Sequence, residues 1–399
     1  MQSRLPTIFI IITLVIDAMG IGLIMPVMPD LIRELKGADL ANAALWGGIM
    51  ASSFAVMQFL FSPLIGNLSD RFGRRSVLLV SLFFMMLDYL VMAVAGSIWL
   101  LLAGRIVGGI TSATQSTATA YMADISSAKD KARNFGLVSA AFGAGFVLGP
   151  LIGGLLSTFG PRAPFYAAAI LAGANFTFGY FILPETVTDA IRRPFVLRRA
   201  NPVGAFMQIS RLSGLRRLLA VHFLFSISFF VYPAIWAYFT RERFGWDGLM
   251  VGYSLTIYGV AMVIVQTFVL RLAISRLGES KTVLAGLSIS ALSFVFMASI
   301  TNGWVVLALT PITALGTITG PALMQIMSTS AADNQQGELQ GLLASIGSIA
   351  TILSPLLMTR TFSYFISDNA PAYLPGAPFI LSTGFMLICI VIYTGSKNR

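Results

Sequence analysis

Twelve stretches of this chain are apolar over about the length a helix needs to cross a bilayer, and no other feature constrains the fold as strongly. They run near 7–28, 44–66, 76–95, 98–121, 134–158, 163–183, 217–240, 249–273, 282–300, 303–326, 338–359 and 374–394, with tight hairpins at 96–97 and 301–303. Hydrophobic residues make up 56% of the 399 and charged residues 11%, against about 25% charged in a typical soluble domain. Such a chain lacks the polar surface to face water, and an all-α membrane protein is expected. The first run contains Asp17, is too long for a signal peptide and lacks a clear small-residue cleavage site, so it reads as the first span.

The net charge of +10 is not a nucleic-acid signature here, because the basic residues sit in short clusters between apolar runs. With both termini placed in the cytoplasm, nineteen Lys and Arg fall in cytoplasmic segments, from Arg4 through Arg211 to Lys397 and Arg399. Six fall outside (Arg33, Lys36, Arg162, Arg241, Arg243 and Arg360), and Arg105 lies within a span. That bias sets the orientation. The Arg-rich stretch from Pro184 to Ser213, with Arg192, Arg193, Arg198 and Arg199, divides the spans six and six. The expected organisation is a six-helix half over 1–183, a cytoplasmic linker over 184–216 and a second six-helix half over 217–399. Arg71-Phe72-Gly73 recurs as Arg276-Leu277-Gly278, Gly136-Leu137 as Gly341-Leu342, and Pro150 as Pro355, each 205 residues on. Two parallel halves of this kind imply a cavity between them and alternating access.

Ionisable residues within spans are costly and mark ion or substrate paths. Asp17 in the first span, Asp88 in the third and Arg105 in the fourth qualify, and His222 near the start of the seventh stands at the edge of the set. Asp17, in a segment with Gly20, Gly22 and Pro26, is placed to bind and release a proton. The competing role is structural, as a helix cap or as the partner of Arg105. One histidine and one cysteine, Cys389, leave no disulfide and no plausible zinc site, and no cofactor or metal is expected.

The segment Gly66-Asn67-Leu68-Ser69-Asp70-Arg71-Phe72-Gly73-Arg74-Arg75 is expected as a short gating loop, with Gly66 and Gly73 tightening it and Arg71 and Arg74 anchoring it. Asp70 is a candidate to meet a helix N-terminus, whose dipole favours a carboxylate. Asn67 and Asn175 head glycosylation-type triplets but lie at or in spans. The fifth span carries Gly143, Gly145, Gly149, Pro150, Gly153 and Gly154 at spacings that let another helix approach closely. Gln115 and its Ser and Thr neighbours make the fourth span too polar for lipid, while Tyr232, Trp236, Tyr258, Gln266 and Gln325 offer a polar and aromatic lining for an amphipathic ligand.

Together these motifs resemble the major facilitator superfamily, its drug/proton antiporters and, within them, the tetracycline/proton antiporters. The similarity lies in Asp17 to Pro26, Gly66 to Arg75, Leu87-Asp88-Tyr89-Leu90, Gly104-Arg105, Gly149-Pro150-Leu151-Ile152-Gly153-Gly154, Arg243-Phe244-Gly245-Trp246 and Leu339-Gln340-Gly341-Leu342-Leu343. The resemblance implies the major facilitator fold and exchange of a metal–tetracycline complex for a proton. It assigns transport to Asp17, Asp88 and Arg105, the cytoplasmic gate to Asp70 and Arg71, and the substrate site to Gln266. Where that family carries a histidine in helix 8 and an aspartate in helix 9, this chain has Met262 and Ser290, so coupling would rest on Asp17 and Asp88. The expected function is proton-coupled export of small amphipathic compounds, tetracycline among them, by a monomer in a bacterial inner membrane. A metabolite exporter or importer of the same fold and a non-transporting membrane sensor are the alternatives. No phosphate-loop motif points to an ATP-driven pump and no triad to an enzyme.

Overall fold

The computed structural model describes residues 5–37, 39–112, 114–189, 192, 194–195, 213–332 and 335–395. Much of the expected linker, with Arg193, Arg198, Arg199 and Arg211, lies outside the described residues, as do Arg4, Lys397 and Arg399. The described residues form helices α1 (Leu5–Ile24), α2 (Met28–Lys36), α3 (Leu40–Phe72), α4 (Arg74–Val94), α5 (Ile98–Thr111), α6 (Thr114–Ile125), α7 (Lys131–Ser157) and α8 (Ala163–Ile182). The series continues with α9 (Arg216–Phe229), α10 (Val231–Phe244), α11 (Gly248–Ile264), α12 (Leu270–Leu277), α13 (Glu279–Ser299), α14 (Gly303–Thr313), α15 (Thr319–Ser330), α16 (Gln336–Ile366) and α17 (Ala377–Thr394). Among the described residues, eleven continuous helical segments are long and apolar enough to cross a membrane, and α5 with α6 in tandem makes the twelfth. The chain is a multi-pass, all-α membrane protein.

Two compact units emerge from the packing. The first comprises Met1–Gly37, Ser53–Pro202 and Gly248–Tyr253, and the second Ala38–Ser52, Val203–Asp247 and Ser254–Arg399. They share one backbone plan. Helices α4, α5, α6 and α7 begin at residues 74, 98, 114 and 131, and α13, α14, α15 and α16 begin 205 residues later at 279, 303, 319 and 336. Gly73 (φ +106°) opens α4 and Gly278 (φ +76°) opens α13, both in backbone territory that L side chains avoid. Ser97 caps α5 through the Leu100 amide at 3.3 Å, and Asn302 caps α14 through the Trp304 amide at 2.9 Å. Trp99 and Trp304, each one residue into its helix, are strongly exposed, as suits a ring at a membrane interface. The packing repeats as well: α1 lies on α7 and α4 on α8 in the first unit, α9 on α16 and α13 on α17 in the second.

Three departures from the sequence reading have local causes. The first helix stops at Ile24 rather than Met28; Pro26 lacks the amide that would continue the ladder, and Pro29 is preformed for the start of a new helix. The new helix, α2, is amphipathic, buries Leu31 and Ile32, and ends on Gly37 at φ +56°. The expected loop over 66–75 is helical through Phe72, so the reversal turns on Gly73 alone. The fourth span is broken between Thr111 and Thr114, and its counterpart passes through a 3-10 stretch at Ala314–Ile318. In both, hydroxyls turn back onto their own helix: Thr111 to the Val107 carbonyl at 3.0 Å, Ser112 to Gly109 at 2.8 Å, Thr313 to Thr310 at 2.8 Å and Thr317 to Ala314 at 2.7 Å. Such bonds compete with the backbone ladder and bend helices.

Candidate functional site

The interior of the first unit holds the intramembrane charges. Asp88 on α4 and Arg105 on α5 form a buried ion pair through Asp88 Oδ2 and Arg105 Nη2, with side chains 7% and 9% exposed. Gly104 and Gly108, one turn apart on α5, leave the space the carboxylate fills; a methyl group at Gly108 would sit on it. The Arg105 guanidinium also lies 4.9 Å from the centre of the Phe54 ring, a cation–π contact. Asp88 Oδ1 and Arg105 Nε carry no further hydrogen bond. Asp88 therefore lies in the packed interior of the unit, and it is Asp88, not Asp17, that pairs with Arg105.

Asp17 is half-buried on α1 and makes no ion pair with any described residue. Tyr89, next to Asp88 on α4, rests its hydroxyl against Gly20, three residues beyond Asp17 on α1. Gly20 thus makes room for the Tyr89 ring against α1. The α7 glycines hold the same turn from the other side. A side chain at Gly145 would strike the Val15 carbonyl and Ala18, at Gly149 the Met19 carbonyl and Gly22, and at Gly153 the backbone of Leu23. Pro150 packs against Gly22, while Gly154 meets Gly248 and Gly252 instead of α1. Gly143 faces open space and takes no part. Of the expected motif, Gly145, Gly149, Pro150 and Gly153 therefore grip the backbone on both sides of Asp17.

At the α3–α4 reversal, Asp70 pairs with Arg74 at 2.6 Å, and Arg74 reaches Asp124 of α6 at 3.2 Å. The carboxylate found at a helix N-terminus is Glu185, not Asp70. It accepts from the Arg74 amide at 2.8 Å and the Arg75 amide at 3.2 Å, the first two donors of α4. The same carboxylate lies where a side chain on Gly73 would go. Arg75 donates to the Tyr180 carbonyl at 2.8 Å, and Thr186 donates to Asp124 at 3.1 Å. Arg71 lies over Phe72 at 5.1 Å and enters none of these ion pairs, and Gly66 has open space around it.

In the second unit the interior around Tyr232 is aromatic. Tyr232 stands among Trp236, Tyr258, Phe294 and Phe379, with ring centres 5.5–5.8 Å away, and Trp236 donates to Ser254 at 2.8 Å. The glutamines do not join this cluster. Gln325 is exposed and bonds Glu279 at 2.6 Å. Gln266 lies in a π-helical stretch, Val265–Val269, whose extra residue keeps Val265 and Val269 packed on Ala314 and Ile318 and turns Gln266 to the accessible surface. Gln115 sits exposed just beyond the break in the fourth span. His222 is half-buried on α9 with its Nδ1 unbonded, and Asn175 is buried, donating to Thr13 at 2.8 Å. Among the described residues no three His, Cys, Asp or Glu side chains gather to hold a metal ion.

Sequence reading assigned no role to Tyr89, Phe54, Asp124 or Glu185. Glu185 had one signal, a lone acidic residue directly after an apolar run and before an Arg-rich stretch.

Twelve spans among the described residues, repeated in two units, with an intramembrane ion pair and a second carboxylate that pairs with no described residue, define a polytopic transport protein rather than an enzyme. The family model described as Major Facilitator Superfamily matches residues 10–355 and 218–397, and the chain belongs to that superfamily. It is 41% identical over 382 residues to "Tetracycline resistance protein, class C" of Escherichia coli, covering 96% of each. It is 39% identical over 384 residues to the class G protein of Vibrio anguillarum, covering 94% of each. The human organic anion transporter MFSD10 (TETRAN) shares its fold at a TM-score of 0.70 and 25% identity, over 98% of this chain and all of that one.

Proposed function

We propose that the protein is a proton-coupled exporter of small amphipathic compounds, with tetracycline as a substrate, working by alternating access. The observation that carries this reading is the division of charge in the first unit. Arg105 neutralises Asp88 within the packed interior, and Asp17 remains as a partly accessible carboxylate without a counter-ion. A carboxylate so placed exchanges a proton at the least structural cost, since no partner is left stranded when it becomes neutral. Tyr89 packs on α1 at Gly20, and Gly145, Gly149, Pro150 and Gly153 fix its backbone against α7. The names of the relatives support tetracycline as cargo. In this reading Asp70, Arg74, Asp124 and Glu185 form the gate, Tyr232, Trp236 and Tyr258 contact substrate, and a monomer sits in the inner membrane with both termini inside. Everted vesicles containing the protein should accumulate tetracycline when a proton gradient is imposed and lose that uptake with Asp17→Asn. Gradient-independent uptake, or uptake that survives the substitution, would refute the coupling.

A further inference from the structure

Proton exchange at Asp17 requires its carboxyl group to carry a charge for part of the cycle, yet the side chain bonds no described residue. An ionised group inside a membrane needs donors to offset its lost hydration. On a helix, a side chain meets the residues three and four positions away. For Asp17 these are Thr13, Leu14, Gly20 and Ile21, of which Thr13 alone carries a hydroxyl. Helical side chains lean towards the N-terminus, so the Asp17 carboxylate leans over the turn that holds Thr13. Tyr89 occupies the opposite side, against Gly20.

Thr13 is fully buried and is held from α8: Asn175, 3% exposed, donates through Nδ2 to Thr13 Oγ1 at 2.8 Å. That bond fills a lone pair of the Thr13 oxygen and leaves its proton unspent. Thr111, Thr177 and Thr240 return their protons to carbonyls four residues back, at 2.8–3.0 Å. Thr13 makes no such bond to Phe9. The Asn175 Oδ1 has no partner either, so the amide's one side-chain bond goes to Thr13. Phe9, Ile10 and Leu14, around Thr13 on α1, join a hydrophobic cluster. Packing alone would be met there by an apolar pair of the same shape.

We propose that Thr13 and Asn175 are positioning residues for Asp17. Asn175 holds the Thr13 oxygen as an acceptor, and Thr13 turns its proton to the Asp17 carboxylate when that group ionises. The proposal rests on the proton-exchange reading of Asp17 and names what receives its charge.

The test is infrared difference spectroscopy of the purified, ligand-free full chain in detergent across a pH titration, with thermal melting alongside. The Asp17 carboxylate band is assigned by its loss in Asp17→Asn. Thr13→Val keeps the shape of the side chain and removes the hydroxyl, Thr13→Ser keeps the hydroxyl, and Asn175→Leu removes the amide. The expected result is a carboxylate band shifted in Thr13→Val, shifted the same way in Asn175→Leu, and at the wild-type position in Thr13→Ser. An unshifted band in Thr13→Val overturns the proposal, and lower melting beside it assigns the Asn175–Thr13 pair to helix packing alone. A band moved equally by Thr13→Ser also overturns it, as does the absence of any carboxylate band lost in Asp17→Asn. The band reads Asp17 without transport. Vesicle uptake that survives Asp17→Asn would remove the coupling reading and leave a shifted band standing. Uptake lost in Asp17→Asn together with an unshifted band would remove the positioning alone.

Discussion

Four helix starts and one N-cap recur between the two units at a spacing of 205 residues, and their packing pairs correspond, yet their interiors hold opposite chemistry. The first buries a carboxylate and a guanidinium and leaves another carboxylate accessible; the second surrounds Tyr232 with four aromatic rings and lines a cavity with hydroxyls. The backbone plan therefore does not dictate what the interior does. A glycine pair on α5, Gly104 and Gly108, gives Asp88 its room in the first unit. At the positions 205 residues on, that pair is replaced by Leu309 and Thr313, Asp88 by Ser293 and Arg105 by Thr310. Hydroxyls thus stand where the first unit keeps its charges, and Ser293 and Thr313 both line the cavity.

The contrast predicts a hierarchy of sensitivities. The largest effect should come from Arg105→Ala, which strands the Asp88 carboxylate in the interior and should cost about 3–5 kcal/mol. Melting in detergent would read this, and Asp88→Asn added to the same protein should restore part of the loss. Next comes Gly149→Ala, where a methyl group meets the Met19 carbonyl of α1; overpacking of that kind costs about 1–3 kcal/mol. Gly143→Ala on the same helix faces open space and should be neutral or stabilising by about 1 kcal/mol, so equal effects at 143 and 149 would break the packing account. Glu185→Gln weakens the charged cap of α4 and should cost about 1 kcal/mol, read as faster hydrogen exchange at the first turn of α4. The smallest effect belongs to the aromatic core of the second unit: Trp236→Phe removes a hydrogen bond to Ser254 and should cost about 1 kcal/mol or less beyond the change in ring volume. A loss there as large as that of Arg105→Ala would erase the distinction between the two interiors.

The spans were legible in the sequence because hydropathy reports lipid contact directly, and the repeat was legible because Gly73 and Gly278 need a backbone only glycine adopts freely. Side-chain partners were not. Arg105 had two carboxylates to choose from, and only the adjacency of α4 and α5 decides for Asp88. Helix α2 was hidden because Met28 extends an apolar run that Pro26 has already ended. Gln266 was expected in the lining with Tyr258, and the π-helical stretch in which it lies leaves it at the accessible surface. Glu185 was concealed by distance in sequence, its partners lying 110 and 111 residues earlier.

The export reading stands on proton exchange at Asp17, which substrate binding should then disturb. Adding tetracycline to the purified protein in weakly buffered detergent, with a pH indicator present, tests it most directly. The account predicts proton release from wild-type protein and none from Asp17→Asn that still binds tetracycline. Binding without proton release in the wild type, or equal release from the Asn variant, would contradict it.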